Sequence, residues 1–442
     1  MPSRQTQFSA CYYLGWLLAG ILILLQTGCA SYSRDFEREI QTLASQDPAA
    51  ALEALEEQRH PERNRLLFHL NKAMLLHMLG DYAASNAEFE QAKRIIEQYQ
   101  AASISEESAA FFINDGTRTY TGSSLEQLML HVYAALNYLL QDKVDAARVE
   151  ALQIDIRLRQ LQEANPDSIL SIDPFVRYLT GLIYEQQGEN DNAMIAYRKA
   201  YNAYREHQQA YGIQVPRQLK QDLLRLSRQL GLTEEYTGYA ARFDVETRQL
   251  DPEQAELVVL FHKDLAPIKR SQRIGQMDPR TGYLVHFAVP VYEPRNSHLS
   301  HARVVVDERR VRTEPMEDIS GIALRTLQDN MPAITARALA RAVVKYKMSR
   351  QAGENDALAG LLMNIAGVVT EQADTRSWLT LPGEIQMARV TLPPGDYNVT
   401  LELIGLDGRV TRSRQLGRVN LTRGSKRYLS YLWFPAYPTL RH

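Results

Sequence analysis

The sequence predicts an α+β multidomain chain, a tetratricopeptide-like α-solenoid followed by a mixed α+β domain with antiparallel strands. Three observations predict it. Apolar residues recur with helical spacing from about Phe36 to Phe243, and small and aromatic residues return there at matching offsets. Near Asp251 and Pro252 the pattern gives way to short runs rich in β-branched residues, bounded by Pro, Gly and Asn. The chain has 442 residues, more than one core ordinarily organises. The expected division is residues 1–28 as a lipoprotein signal peptide, 29–250 as the helical repeats and 251–442 as the α+β domain.

The first segment is read from "ILILLQTGCASYSRDF" (21–36). Met1 to Gly28 carries one basic residue, Arg4, and no acidic one, and its apolar core from Leu14 to Leu25 is followed by Thr27, Gly28 and Cys29. That is the layout of a secretory signal. Small residues directly before a cysteine give it the lipoprotein form, in which the Cys29 thiol is acylated and the chain is cut before it. Gln26 stands where Leu is usual, with Leu25 one place earlier. The competing readings are a plain signal peptide, a core helix and a spanning anchor, which needs about 20 apolar residues. Cys11 leaves with the signal, so Cys29 would be the sole cysteine and no internal disulfide is expected. Ala30 and Ser31 lack the Asp that retains such proteins at the inner membrane. The expected location is the periplasmic face of a bacterial outer membrane, held by lipid.

Charge separates the two parts without favouring a polyanion the size of nucleic acid. Residues 29–250 hold 23 basic and 32 acidic side chains, and residues 251–442 hold 26 and 20. Neither excess is large enough for a nucleic-acid binder.

Within the helical part, "GLIYEQQGENDNAMIAYRKAY" (181–201) places Gly181, Tyr184, Gly188, Ala193, Tyr197 and Ala200 at the offsets of a tetratricopeptide unit. Small residues let paired helices approach, aromatics fill the gap to the next pair, and Gly188 permits the tight turn. Pro174 suits the first turn of its helix. A second unit is "NKAMLLHMLGDYAASNAEFEQAKRI" (71–95), and a third is "ALNYLLQDKVDAARVEALQI" (135–154), where Asp142 replaces the turn glycine. Residues 47–58 and 219–243 read as terminal helices that cover the array. Between the units at 71–95 and 135–154, "FFINDGTRTYTGSS" (111–124) is a turn-rich insert with Asp115 and Gly116 as its turn and a capping box at Ser124 and Gln127. Inserts on repeat stacks often meet partners, which makes Arg118 and Tyr120 partner-contact candidates; the alternative is that they pin the loop to its own helices.

In the C-terminal part, strands are expected over 255–262, 283–292, 301–311, 384–392, 398–405 and 426–434, the last aromatic enough to be central. Helices are expected over 331–350, with Ile334, Ala338 and Ala342 on one side and Arg337, Arg341 and Lys345 on a solvated face, and over the apolar run 357–372 with Gly360, Asn364 and Gly367 in one stripe.

Three segments, "TYTG" with "MLHVYAALNYLL" (119–140), "VPVYEPR" (289–295) and "ADTRSWLTLP" (373–382), give the chain a family likeness. It resembles proteobacterial lipoproteins, with no assigned activity, that pair a tetratricopeptide region with a C-terminal mixed domain. The resemblance implies the two-part layout and the lipid anchor, and carries over no catalytic residue.

In "ADTRSW", Asp374 and Arg376 form either a ligand clamp with Trp378 as a stacking platform, or a structural corner with Trp378 in the core beneath it. The sequence has no phosphate-binding glycine loop, no G-x-S-x-G elbow and no zincin pattern. His298 and His301 in "HLSH" lack further ligands for a metal. No catalytic residue, metal or cofactor is therefore expected. The expected function is a non-enzymatic, membrane-anchored scaffold for another envelope protein. The alternative is binding or processing of peptidoglycan or another anionic envelope polymer through the C-terminal domain.

Overall fold

The computed structural model describes residues 47–110, 118–166, 168–246, 251, 253–277, 284–295, 297–355 and 373–435. Cys29, the signal region, Asp115, Gly116 and the apolar run 357–372 lie outside them.

Helix α1 (Pro48–Glu57) opens on Asp47, whose side chain accepts from the amides of Ala49 and Ala50. Four helical pairs follow: α2 (Arg65–Leu79) with α3 (Tyr82–Ala110), α4 (Ser124–Leu140) with α5 (Val144–Ala164), α6 (Pro174–Gln186) with α7 (Asn190–Tyr211), and α8 (Arg217–Gln229) with α9 (Thr233–Arg242). The turns inside the first three pairs use one backbone solution. Gly80 and Gly188 adopt φ of 82° and 76°, and Asp142 adopts 61°, a left-handed conformation that Asp tolerates better than most residues. At Gly181 a methyl group would fall 2.4 Å from the Tyr197 ring, so the closeness of α6 and α7 requires glycine there. The cap of α4 is a capping box formed by Ser123 and Glu126, one residue earlier than the Ser124 and Gln127 read from the sequence.

The strands form two four-stranded sheets and a hairpin. Sheet one has the order β10-β1-β7-β6, from β10 (Lys426–Trp433), β1 (Ala255–Leu265), β7 (Pro382–Leu392) and β6 (Glu314–Glu317). Sheet two has the order β5-β4-β8-β9, from β5 (Arg309–Arg312), β4 (Leu299–Val306), β8 (Gly395–Gly405) and β9 (Val410–Leu421). The hairpin is β2 (Ile268–Met277) with β3 (Leu284–Glu293), against which the long helix α10 (Ile319–Asn355) packs through Ala338 and Ala342. Strand β10 pairs with β1 in parallel and lies at an edge, not at the centre as its aromatics implied. The expected strand 301–311 is a hairpin, β4 turning into β5 at Asp307 with φ of 52°. On α10, Arg341 is buried while Arg337 is exposed, so the expected basic row does not lie on one solvated face.

Sheet one is buried on both faces, which is why β1 and β7 read as nearly continuous apolar runs. Leu257, Val259 and Phe261 of β1, with Ala388 and Val390 of β7, face sheet two. Val258 and Leu260, with Ile385 and Met387, join one core with the helical pairs. Helices, sheet one and sheet two are thus successive layers, and the helical repeats share a core with the strands.

Candidate functional site

The segments that gave the family likeness converge where the helices meet the sheet. Asp374 accepts from the backbone amide and Nε of Arg376 through Oδ1 (3.0 and 2.9 Å) and from Nη2 through Oδ2 (2.8 Å). The Nη1 of Arg376 donates to the Arg118 carbonyl (2.9 Å) and to Asn64 Oδ1 (3.2 Å), and the guanidinium lies 5.0 Å from the centre of the Tyr120 ring. The Tyr120 hydroxyl donates to Glu126 (2.5 Å), which also accepts from the amides of Ser123 (2.7 Å) and Trp378 (2.6 Å). Trp378 is buried, its Nε1 donates to Thr380 (3.1 Å), and its ring meets Phe89 and Tyr133 edge-on. Lys269 of β2, near the Tyr292 ring from "VPVYEPR", donates to the Arg376 carbonyl (3.4 Å).

This constellation is a corner between the halves of the chain. Asp374, Arg376 and Trp378 are engaged within the chain, and Trp378 offers no face to a sugar. Tyr120 is 7% exposed, and its hydroxyl serves Glu126. Arg118 is half-buried and contributes its carbonyl. Burial, followed by the Glu126 charge, pushes the Tyr120 hydroxyl well above its ordinary pKa, so it remains a hydrogen-bond donor. Glu126→Ala would leave three donors unpaired. We expect a loss of about 2–3 kcal/mol in chemical denaturation, with Glu126→Gln losing less.

Two more buried polar clusters cross the same interface, and neither was read from the sequence. Arg389 of β7 pairs with Asp222 of α8 and with Glu256 of β1 (2.8 Å), and donates to the Tyr178 hydroxyl (2.9 Å). Arg225 joins Glu185 (2.6 Å) and Asp222 (3.2 Å), and Lys426 joins Glu185 (3.3 Å) and Glu256 (3.4 Å). The Lys426, Arg225 and Arg389 charges outweigh burial and hold Glu185 down at about 2. The other cluster has His77 of α2 between Asn137 (2.5 Å) and Ser430 (3.0 Å), and His262 of β1 against the Tyr133 hydroxyl (2.9 Å). Burial lowers His77 to about 4 and His262 well below its usual value. The signal for both clusters was present as charged or polar residues inside apolar strands, Glu256 and His262 in "AELVVLFH" and Arg389 in "EIQMARVTL". Their partners lie 129 to 211 residues away and were not legible.

The helical side of these contacts comes mainly from the first helix of each pair, α2, α4, α6 and α8, with Phe89 of α3 against Trp378, so the chain's own sheet covers that face. On the second helices, Val149, Leu152 and Ile156 of α5 are 53%, 39% and 40% exposed, and Ile195 of α7 is 45% exposed. Arg148 bridges to Glu189 at one end of this helix pair. At the other, a groove of about 530 Å³ opens between α5 and α7, with Asp155, Leu158 and Arg159 on one wall and Lys199 and Asn202 on the other. His301 contacts Ser300, and His298 is exposed in the segment before β4. Among the described residues no group of three or more His, Cys, Asp or Glu is placed to hold a metal, and no helix is long and apolar enough to cross a membrane.

No family model and no curated protein matches the chain. Among solved structures, MamA AMB-1 aligns at 14% identity with a TM-score of 0.30, covering 47% of this chain and 87% of that one. BtubC from P. vanneervenii aligns at 16% and 0.30, covering 56% and 90%. A Rap protein complexed with Competence and Sporulation Factor aligns at 15% and 0.29, covering 48% and 49%. At such scores these likenesses carry no functional argument.

Proposed function

We propose that the chain is a lipid-anchored scaffold of the bacterial envelope, held through Cys29 at the periplasmic face of the outer membrane, that binds another envelope protein and performs no chemistry of its own. The observation that carries the reading is the division of the repeat surface. The face built from first helices is filled by the chain's own sheet, whereas α5 and α7 leave an apolar strip beside a groove. Val149, Leu152 and Ile156 follow helical spacing along one side of α5, an arrangement suited to an amphipathic helix of the partner. The anchor rests on the order of signal, small residues and Cys29 in the sequence.

The test uses the full chain in cells. A fatty-acid analogue should label wild type and not Cys29→Ser. Leu152→Asp with Ile156→Asp should abolish co-purification of the partner while leaving lipid labelling and thermal unfolding unchanged. An unlabelled wild-type chain removes the anchor, and partner capture undiminished by the paired aspartates removes the surface.

A further inference from the structure

The two sheets also meet along an open seam, where β9 ends one sheet and β10 ends the other. Arg412 and Arg414 of β9 lie opposite Leu403 and Leu401 of β8, whose side chains belong to the core between the sheets. Both guanidiniums therefore rise from the inner side of the sandwich at its rim, and both residues are exposed. Across the seam, Tyr431 and Trp433 of β10 are half-buried and pack on the same core. Burial raises the Tyr431 hydroxyl against the opposing pull of the Arg414 and Arg412 charges.

The other arginines along this edge have carboxylates. Arg409 is 3.9 Å from Asp407, Arg418 is 3.1 Å from Asp396, Arg427 is 2.7 Å from Asp142, and Arg423 pairs with Glu253. Arg412 and Arg414 have no carboxylate partner among the described residues. The Cα atoms of residues two apart on a strand lie about 7 Å from each other, so both side chains leave the same face close enough to meet successive charges on one chain.

We infer that the seam between β9 and β10 binds a linear anionic glycan, Arg412 and Arg414 pairing with its carboxylates or phosphates while Tyr431 and Trp433 receive the apolar faces of its sugar rings. Guanidinium groups take either anion through two parallel hydrogen bonds. The aromatic pair favours a sugar polymer over an acidic peptide, which would add to the outer edge of β9 through its backbone and leave the rings unused. This site is independent of the strip on α5.

The experiment measures retention of the detergent-solubilised full chain on immobilised polygalacturonate, phosphomannan, neutral dextran and polyglutamate. Retention is expected on polygalacturonate, phosphomannan or both, which tells carboxylate from phosphate recognition, with little on dextran. Arg412→Gln with Arg414→Gln should weaken it at least tenfold. Tyr431→Ala with Trp433→Ala should do the same, and Trp433→Tyr in the otherwise native chain should retain most binding. The inference is overturned by no retention on either anionic glycan, by retention that the arginine pair does not affect, or by polyglutamate binding as tight as glycan binding and indifferent to the aromatic substitutions.

Discussion

Arg389→Ala should destabilise the full chain by about 3–5 kcal/mol, the largest loss expected from a single side chain here. Arg389 is 1% exposed and sits between Asp222 and Glu256, which are themselves 2% and 6% exposed. Removing it leaves Asp222, Glu256 and Glu185 to share Arg225 and Lys426 out of water, one carboxylate in excess, with the Tyr178 hydroxyl beside them. The cost is chiefly that of the stranded charges, so a triple variant with Arg389→Met, Asp222→Asn and Glu256→Gln should recover much of it. Denaturant midpoints of the three proteins decide the matter. Because the pairs join α8 to β1 and β7, Arg389→Ala should also convert one unfolding transition into two, as helical repeats and sheet lose their common core. A single transition at an unchanged midpoint would mean that the interface contributes little.

The second large effect is on pH. His77 titrates near 4 in the folded chain against 6.5 unfolded, because burial disfavours its charged form. The unfolded chain therefore binds more protons between those values. The stabilisation from a neutral His77 is complete above pH 6.5 and is lost as pH falls toward 4, in all roughly 3 kcal/mol. His262 adds to it in the same direction. Glu185, held down at about 2 against an ordinary 4.5, loses its stabilisation as pH falls from 4.5 toward 2, which overlaps the acid end of this window. Asp173 and Glu317 act the other way, since burial raises both, with the Asp173 charge adding to it at Glu317, and their contribution declines as pH rises. The clean readout is thus the difference between wild type and His77→Gln. Wild type should lose more stability than the variant between pH 7 and pH 4, and parallel curves would contradict the assignment.

What the sequence revealed follows from where each element lies. Strands β1 and β7 were legible because burial on both faces leaves little but apolar residues. The tetratricopeptide spacing was legible at Gly181 and Tyr197, where the ring occupies the space a methyl group would need. Asp142 was noted as a departure from the turn glycine, and its positive φ shows the turn to be the same. Strand β9 was missed because its exposed positions carry Arg, Thr, Ser and Gln, with no alternation to read. Helix α10 was expected over 331–350 from its amphipathic pattern, yet it opens at Ile319 and carries Pro332 inside it. At the corner the residues were named, with a structural corner as one of two readings, but not the partners that build it. Arg376 answers to the Asn64 side chain and the Arg118 backbone carbonyl, and no local pattern announces a carbonyl as a partner.

The most direct test of the scaffold reading places a photo-crosslinking residue at position 152, on the exposed strip of α5, and separately at position 120, inside the corner, in cells producing the full chain. The account predicts an adduct with a second envelope protein from position 152 and crosslinks within the chain from position 120. Intermolecular adducts from position 120 with none from position 152 would contradict it.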